Sequence, residues 1–196
     1  MVISFKIAIF ICLASPLILT LMNIFYYENE ANPLETLTNM TGEWAIICLL
    51  ITLTLNPLKK IFNKNIFIKV RRQIGLWAAL YILLHALTWI FFDKGLYIQN
   101  EAEMVWNEVI DDILDKPYIL LGTLSLLLTI PLALSSNKYS IKKLGKKWKR
   151  LHSLIYLITP LGIIHFWMAV KSDYFWPAIY LSIFIGLMLI RLKIKT

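Results

Sequence analysis

Hydrophobic and polar residues are grouped along this chain in long blocks. Six segments contain no charged residue: 7–27, 44–58, 73–92, 117–137, 151–170 and 174–190. A helix needs about 20 mostly apolar residues to cross the hydrocarbon layer. Four segments reach that length alone and two borrow flanking residues, so the pattern predicts six transmembrane helices. Their approximate limits are 7–27, 42–58, 73–92, 117–137, 151–170 and 174–191.

Local signals refine this outline. The second predicted helix starts near Glu43 and stops at Asn56-Pro57, because proline lacks the backbone N–H that would continue it. From Glu101 to Leu114, apolar residues recur among acids at helical spacing. That segment is therefore expected to form a short amphipathic helix at the membrane surface. The first segment exceeds a usual signal-peptide core and lacks a clear cleavage site, so it is expected to stay as an anchor.

Composition agrees with an integral membrane protein. Of the 196 residues, 59% are hydrophobic, and the mean hydropathy is +0.67. A soluble domain of this size does not need so many apolar residues. The two cysteines, Cys12 and Cys48, lie in apolar segments and are expected to be buried and inert. There is no CxxCH motif, so any haem would be held without a covalent link.

The net charge of +8 follows the predicted topology. Basic residues concentrate in 57–72, 135–150 and near both ends, whereas all 12 acids lie in 28–43, 93–115 and at position 173. Basic segments stay on the cytoplasmic side, so both termini are predicted to be cytoplasmic and the acidic segments outside. Because topology accounts for the positive charge, the expected non-protein partner is membrane lipid and not nucleic acid.

Three histidines, His85, His152 and His165, lie in the apolar helices. Ionisable side chains in membrane helices are costly and mark functional sites. His85 lies thirteen residues past Arg72 and His165 fifteen past Arg150, which puts both about 20 Å from the inner edge. His152 is level with Arg71 at that edge. Depth therefore predicts that His85 and His165 form a pair.

Two neutral imidazoles on facing helices suit the axial positions of a b-type haem. Gly162 shares the face of His165 and would let a porphyrin edge approach the backbone. The propionates of an inner haem could pair with the basic side chains at the inner edge, namely Arg71, Arg72, Lys149 and Arg150.

One difficulty concerns the face that each histidine occupies. Thirteen residues rotate an ideal helix by about 220° beyond whole turns, so His152 and His165 would not share a face. Pro160 between them could kink or unwind the helix, and the sequence does not decide the outcome.

Other classes fit less well. A zinc site is disfavoured, because the histidines lie on two levels without a nearby carboxylate. A proton-coupled transporter is disfavoured, because the predicted helices contain no carboxylate and no internal repeat is visible. A purely structural subunit remains open.

Several motifs resemble those of the MsrQ (YedZ) family within the ferric-reductase-like transmembrane superfamily. They are NPLETLTNMTGEWA, RRQIGLW with the His85 helix, KPYILLG, LGKKWKRLH and IIHFWMAVK, and together they cover nearly the whole chain. Relatives in that superfamily carry two histidine pairs, spaced fourteen and thirteen. Here His152 and His165 keep the second pair, but Arg71 stands where the first pair has its inner histidine. The resemblance thus implies one haem, or a second held by His152 alone.

The resemblance also implies a function. The chain is expected to be a single ferric-reductase-like domain over 1–196, an all-α protein of the bacterial inner membrane with haem b clamped between the third and fifth helices. It would pass electrons to a periplasmic molybdoenzyme, MsrP, which reduces methionine sulfoxide in proteins. The implied donor is quinol or a cytosolic flavin reductase, and FMN is an implied cofactor. Without a Gly-rich dinucleotide loop, the chain is expected to need a separate donor.

Overall fold

A computed structural model of the chain describes residues 2–27, 32–94 and 102–195. The helices in these ranges are α1 Val2–Met22, α2 Pro33–Phe62, α3 Ile66–Thr88, α4 Ala102–Asp115, α5 Pro117–Leu134, α6 Lys138–Leu144, α7 Lys146–His152, α8 Ile155–Ala169 and α9 Phe175–Lys195. One wider helical turn follows α1 at Asn23–Tyr27 and another follows α3 at Trp89–Asp93. No strand occurs among the described residues.

The prediction of six membrane-spanning helices is confirmed. By length and composition, six described segments are long and apolar enough to cross a membrane: Ile3–Tyr26, Pro33–Phe62, Ile66–Phe92, Pro117–Leu134, Lys146–Ala169 and Phe175–Lys193. The chain is therefore a multi-pass membrane protein. Successive spans alternate in direction, so the bundle has two chemically different ends. The end that carries α4 is called the acidic end below, and the end that carries α6 and α7 is called the basic end.

The helix α2 is the centre of the bundle, because it contacts α1, α3, α8 and α9. Its buried face includes Thr41, and also Cys48 and Leu53, which lie in the main apolar core. Tyr81 of α3 is also fully buried, and its hydroxyl donates a 2.6 Å hydrogen bond to the Leu13 carbonyl oxygen of α1. This bond attaches the peripheral helix α1 to the core.

The limits of α2 differ from the prediction. The helix begins at Pro33, where proline at the first turn costs nothing and Asn32 caps the N-terminus. It also continues past Pro57 to Phe62 and ends at Asn63, whose φ is 52°. An interior proline removes one backbone hydrogen bond, but contacts with neighbouring helices hold the long helix together. As a result, Glu43 lies inside the span and not at its start.

Two smaller predictions have opposite outcomes. The predicted amphipathic helix is present as α4, whose Val105 and Val109 are buried; its position at the membrane surface stays a prediction. The expectation that both cysteines are buried is wrong for Cys12, which is exposed, and holds for Cys48. Cys12 differs because α1 lies at the edge of the bundle and leaves most of its surface uncovered.

Ion pairs attach α4 to the acidic end. The Asp112 carboxylate pairs with Lys94, and with Lys116 at 2.7 Å. Burial raises the pKa of Asp112, but the hydrogen bonds and positive charges of Lys116 and Lys94 outweigh it, so the pKa lies below its ordinary value. The same carboxylate raises the pKa of Lys116 through their hydrogen bond. Hence α4 is tied both to the chain after α3 and to the start of α5.

Candidate functional site

The centre of the candidate site is a pair of histidines near the acidic end. His85 lies in the last turn of α3 and His165 lies in α8. Their ring centres are 5.9 Å apart and their planes meet at 80°. The two residues that were predicted to lie at one depth are therefore neighbours across the interior of the bundle.

Each imidazole is oriented by a backbone carbonyl. The His85 Nδ1 lies 2.8 Å from the Thr38 carbonyl oxygen, and the His165 Nδ1 lies 2.6 Å from the Tyr118 carbonyl oxygen. A carbonyl oxygen only accepts hydrogen bonds, so each Nδ1 carries the proton and donates it. Each Nε2 then keeps a free lone pair, which is the form in which histidine binds a metal.

A glycine lies against each imidazole. A Cβ added at Gly42 would lie 2.9 Å from both Nδ1 and Cε1 of His85. A Cβ added at Gly122 would lie 2.9 Å from Nδ1 and 3.0 Å from Cε1 of His165. Gly42 lies one helical turn after Thr38 on α2, and Gly122 lies one helical turn after Tyr118 on α5. These glycines are required because any larger residue would push the imidazole away from its carbonyl.

The two histidine environments repeat along the chain. In both, the accepting carbonyl precedes the histidine by 47 residues. One copy is built on α2 and α3 and the other on α5 and α8, and both pairs of helices are in contact. The same arrangement of carbonyl, glycine and histidine therefore occurs twice in the described residues. No internal repeat is visible in the sequence, and what recurs is the spacing of these positions.

The pair fits the axial ligand set of a haem. An imidazole nitrogen binds a transition metal at about 2 Å, and its ring centre lies about 1 Å further away, so two ligands on opposite sides of one ion have centres about 6 Å apart. The observed 5.9 Å agrees with that arrangement. No group of three or more His, Cys, Asp or Glu side chains that could hold a metal occurs in 2–27, 32–94 and 102–195, which argues against a zinc-type site.

His152 has different surroundings at the basic end. Its ring stacks on Trp148 with centres 4.0 Å apart, and its Nε2 lies 3.0 Å from the Ser135 hydroxyl oxygen. That hydroxyl donates to the Pro131 carbonyl at 2.6 Å, so it accepts from a protonated Nε2. The lone pair of His152 is then on Nδ1, unlike in the other two histidines. Its role as a metal ligand stays a prediction.

The break in the helix between His152 and His165 is not at the predicted proline. α7 ends at His152, the chain turns at Ser153 and Leu154, and α8 begins at Ile155. The Ser153 hydroxyl donates to the Arg150 carbonyl at 2.6 Å, which competes with regular helical bonding. Pro160 lies inside α8. The helical segment is therefore interrupted by the turn at Ser153 and Leu154, whereas α8 continues through Pro160.

A group of positive charges lies near His152. Arg71 is half-buried, and its Nη1 is 3.4 Å from the Asn56 side-chain oxygen. It lies close enough to His152 and Arg191 for their charges to interact. The Arg191 guanidinium lies 4.2 Å from the centre of the Tyr156 ring. Within the described part of the chain neither arginine forms an ion pair with an acid, so the basic end has room for an anionic group.

The remaining predicted residues are less constrained. Arg72, Lys149 and Arg150 are exposed at the basic end. Gly162 lies in α8 one turn before His165, and a Cβ added there would meet no atom within 4 Å. Sequence reasoning did not identify Gly42, Gly122, Asn56 or Arg191. The equal spacing of glycine and histidine in the two halves is the signal that could have found the glycines.

A carboxyl group also lies inside the bundle. The Glu43 Oε1 accepts a 2.6 Å hydrogen bond from the Tyr180 hydroxyl of α9. The expectation that the membrane helices contain no carboxylate is therefore wrong. It failed because the second helix was predicted to begin near Glu43, whereas α2 extends back to Pro33.

Comparison with known proteins identifies the family of the chain. The family described as "Ferric reductase like transmembrane component" matches residues 41–163. Three similar proteins are each named "Protein-methionine-sulfoxide reductase heme-binding subunit MsrQ". The protein of Caulobacter vibrioides is 39% identical over 165 residues, which cover 84% of this chain and 75% of the relative. The Agrobacterium fabrum protein is 39% identical over 168 residues, covering 84% and 74%. The Brucella anthropi protein is 40% identical over 165 residues, covering 83% and 70%.

Proposed function

The chain belongs to the MsrQ family of ferric-reductase-like transmembrane proteins, and we propose that it is the haem-binding membrane subunit of a system that reduces methionine sulfoxide. The relatives' names support the cofactor and the system. The proposal adds which residues hold the cofactor, in which direction electrons move and with what partners.

The observation that carries the proposal is the His85–His165 pair. Both imidazoles present a free Nε2, each is fixed by a carbonyl, and each rests against a glycine. We assign these two residues as the ones that would hold one haem b through their Nε2 atoms. Bound haem would supply an iron that accepts and gives up single electrons. Because partners that orient a ligand raise its affinity and set its direction, Thr38 and Tyr118 belong to this site through their carbonyl groups.

The direction of electron movement follows from the two ends. The acidic end faces outward, to the periplasm of a bacterial inner membrane, and the basic end faces the cytoplasm, as basic segments generally do. His85 and His165 lie near the acidic end, so their haem would serve the outer acceptor, an MsrP-like molybdoenzyme. The electron donor, quinol or a cytosolic flavin reductase, would act at the basic end.

The basic end has the chemistry for an anionic donor or cofactor. Arg71 lies near both His152 and Arg191, and neither arginine forms an ion pair with an acid among the described residues. Guanidinium groups bind phosphate and carboxylate through paired hydrogen bonds. This group of charges would hold the phosphate of FMN or the propionates of an inner haem with His152 as its ligand. The exposed Arg72, Lys149 and Arg150 would then attract an acidic flavoprotein.

Replacement of the ligands tests the haem assignment. His85→Ala and His165→Ala should each abolish the low-spin haem spectrum or convert it to a high-spin one, because each removes one axial nitrogen. His152→Ala should leave the spectrum of the His85–His165 haem unchanged and serves as the matched histidine control. Wild-type spectra from both His85→Ala and His165→Ala would contradict the assignment.

A further inference from the structure

The carboxyl of Glu43 is unusual in its position. Glu43 lies ten residues into α2, about 15 Å from Pro33 along the helix axis. Among the six spans in the described residues, it is the only acid beyond the first turn of a helix. It is half-buried, and its partner Tyr180 is only 6% exposed. A carboxyl group in this setting is costly unless it has a use.

The Glu43–Tyr180 pair lies beside a chain neighbour of each histidine site. The residue before Glu43 is Gly42, where an added Cβ would lie 2.9 Å from the His85 imidazole. The Tyr180 ring lies 6.3 Å from that of Phe166, the residue after His165. Gly42 and Phe166 therefore place the pair in the same layer of the bundle as the two residues that would hold the haem.

The titratable groups on the helices around α2 define the electrostatic surroundings of this pair. The helices that contact α2 carry His85 and Tyr81 on α3, His165 on α8, Cys12 on α1 and Tyr180 itself on α9. The Tyr81 hydroxyl already donates to α1. The arginines of α3 and α9 lie at the basic end. Asn56, the partner of Arg71, is about 20 Å from Glu43 along α2. No described cation forms an ion pair with Glu43.

We propose that Glu43, held by Tyr180, takes up a proton when the haem is reduced. This inference rests on the proposed function. When bound haem takes up one electron from the quinol or reduced flavin, one proton from that donor or from water would convert the Glu43 carboxylate to the acid. The electron and the proton would both leave when the acceptor is reduced, so the net charge inside the membrane would stay constant. The carboxylate charge and the added electron would repel each other strongly, because charges interact strongly in a medium of low dielectric constant. Since linkage is reciprocal, reduction would favour protonation of Glu43, and protonation would favour reduction.

The test is a redox titration of the purified haem protein at several pH values, followed by absorbance. The wild-type midpoint potential should fall with rising pH, by up to about 59 mV for each tenfold fall in proton concentration. Glu43→Gln should remove the slope. Glu35→Gln, which changes an exposed acid in the first turn of the same helix, should keep it. In the wild type, the infrared difference between reduced and oxidised protein should show a protonated carboxyl that is absent from Glu43→Gln.

Two results would overturn the inference alone: a haem protein whose potential does not change with pH, or an unchanged slope in Glu43→Gln. A colourless wild-type protein would overturn the proposed function and this inference with it. If Glu43→Gln does not assemble, Tyr180→Phe keeps the carboxyl and removes its hydrogen bond. Tyr180→Phe should shift the pH range of the slope, and a wild-type profile in that variant would also contradict the inference.

Discussion

Replacing either glycine beside the histidines with alanine should weaken haem binding without unfolding the protein. At Gly42 the new Cβ would lie 2.9 Å from the His85 ring, whereas carbon contacts become favourable at about 3.5 Å. The ring would therefore have to move by about 0.5 Å. That movement stretches the 2.8 Å hydrogen bond to Thr38 beyond the usual limit of about 3.2 Å. Gly122→Ala should affect His165 and its bond to Tyr118 in the same way.

The expected size of the effect comes from the lost orientation of the ligand. One net hydrogen bond contributes about 1 kcal/mol, and loss of partners that orient a metal ligand costs about 10–100-fold in affinity. We expect haem affinity to fall about tenfold or more in Gly42→Ala and in Gly122→Ala. Alanine favours the helix over glycine by about 1 kcal/mol, so the apoprotein should not lose helical content.

Haem titration of the apoprotein in detergent measures the affinity, and circular dichroism measures the helical content. Gly186→Ala is the matched control, because it is also a helical glycine and its new Cβ would meet nothing within 4 Å. Gly162→Ala tests the predicted porphyrin contact, since no protein atom opposes that Cβ either. If Gly42→Ala and Gly122→Ala bind haem as tightly as Gly186→Ala, the glycines do not seat the ligands and this reasoning fails.

Three further outcomes are expected. Changing Lys146, Lys147 and Lys149 together to Glu should slow haem reduction by a cytosolic flavin donor. Added salt should slow the reaction of the wild type in the same way, because exposed charges are screened over about 10 Å at 0.1 M salt. A wild-type rate in correctly oriented protein would limit these lysines to a role in topology. Asp112→Asn should lower the melting temperature at neutral pH. The difference should begin to shrink as the pH falls below about 4 and should disappear only at still lower pH, below the lowered pKa of the folded state. The pKa of Asp112 is lowered in the folded state, so its stabilisation exists above the unfolded pKa and is lost as the pH falls. An equal loss of melting temperature at neutral and at low pH would contradict this reasoning. Tyr81→Phe should lower the free energy of unfolding by about 1 kcal/mol, because the hydrogen bond to the Leu13 carbonyl oxygen of α1 is lost. Denaturation measures this difference.

The sequence allowed the spans and the histidine pair to be predicted because both depend on distance along a helix. The length of each apolar segment determines whether it can cross a membrane, and residue counts from the basic edge gave His85 and His165 the same depth. The structure brings these two rings together. Motif resemblance identified the family, which the comparisons confirm.

The parts that could not be predicted depend on contacts between helices. Gly42 and Gly122 matter because imidazoles from other helices lie against them. Neither apolar segment marks its glycine by itself, and the equal spacing of glycine and histidine shows only when the two halves are compared. Glu43 was assigned to a helix start because charge was used to delimit the spans. In the structure Tyr180, 137 residues away in sequence, supplies the partner that lets this acid lie deeper. The turn at Ser153 likewise reflects local hydrogen bonding that residue spacing does not reveal.

The absorbance spectrum of the purified wild-type protein, taken from haem-replete cells before and after reduction, tests the central claim most directly. Two imidazoles with free Nε2 atoms at this separation predict a low-spin Soret band and a sharp α-band that develops on reduction. A colourless protein, or a haem spectrum that does not respond to a reductant, would contradict the claim that this chain carries electrons through a haem held by His85 and His165.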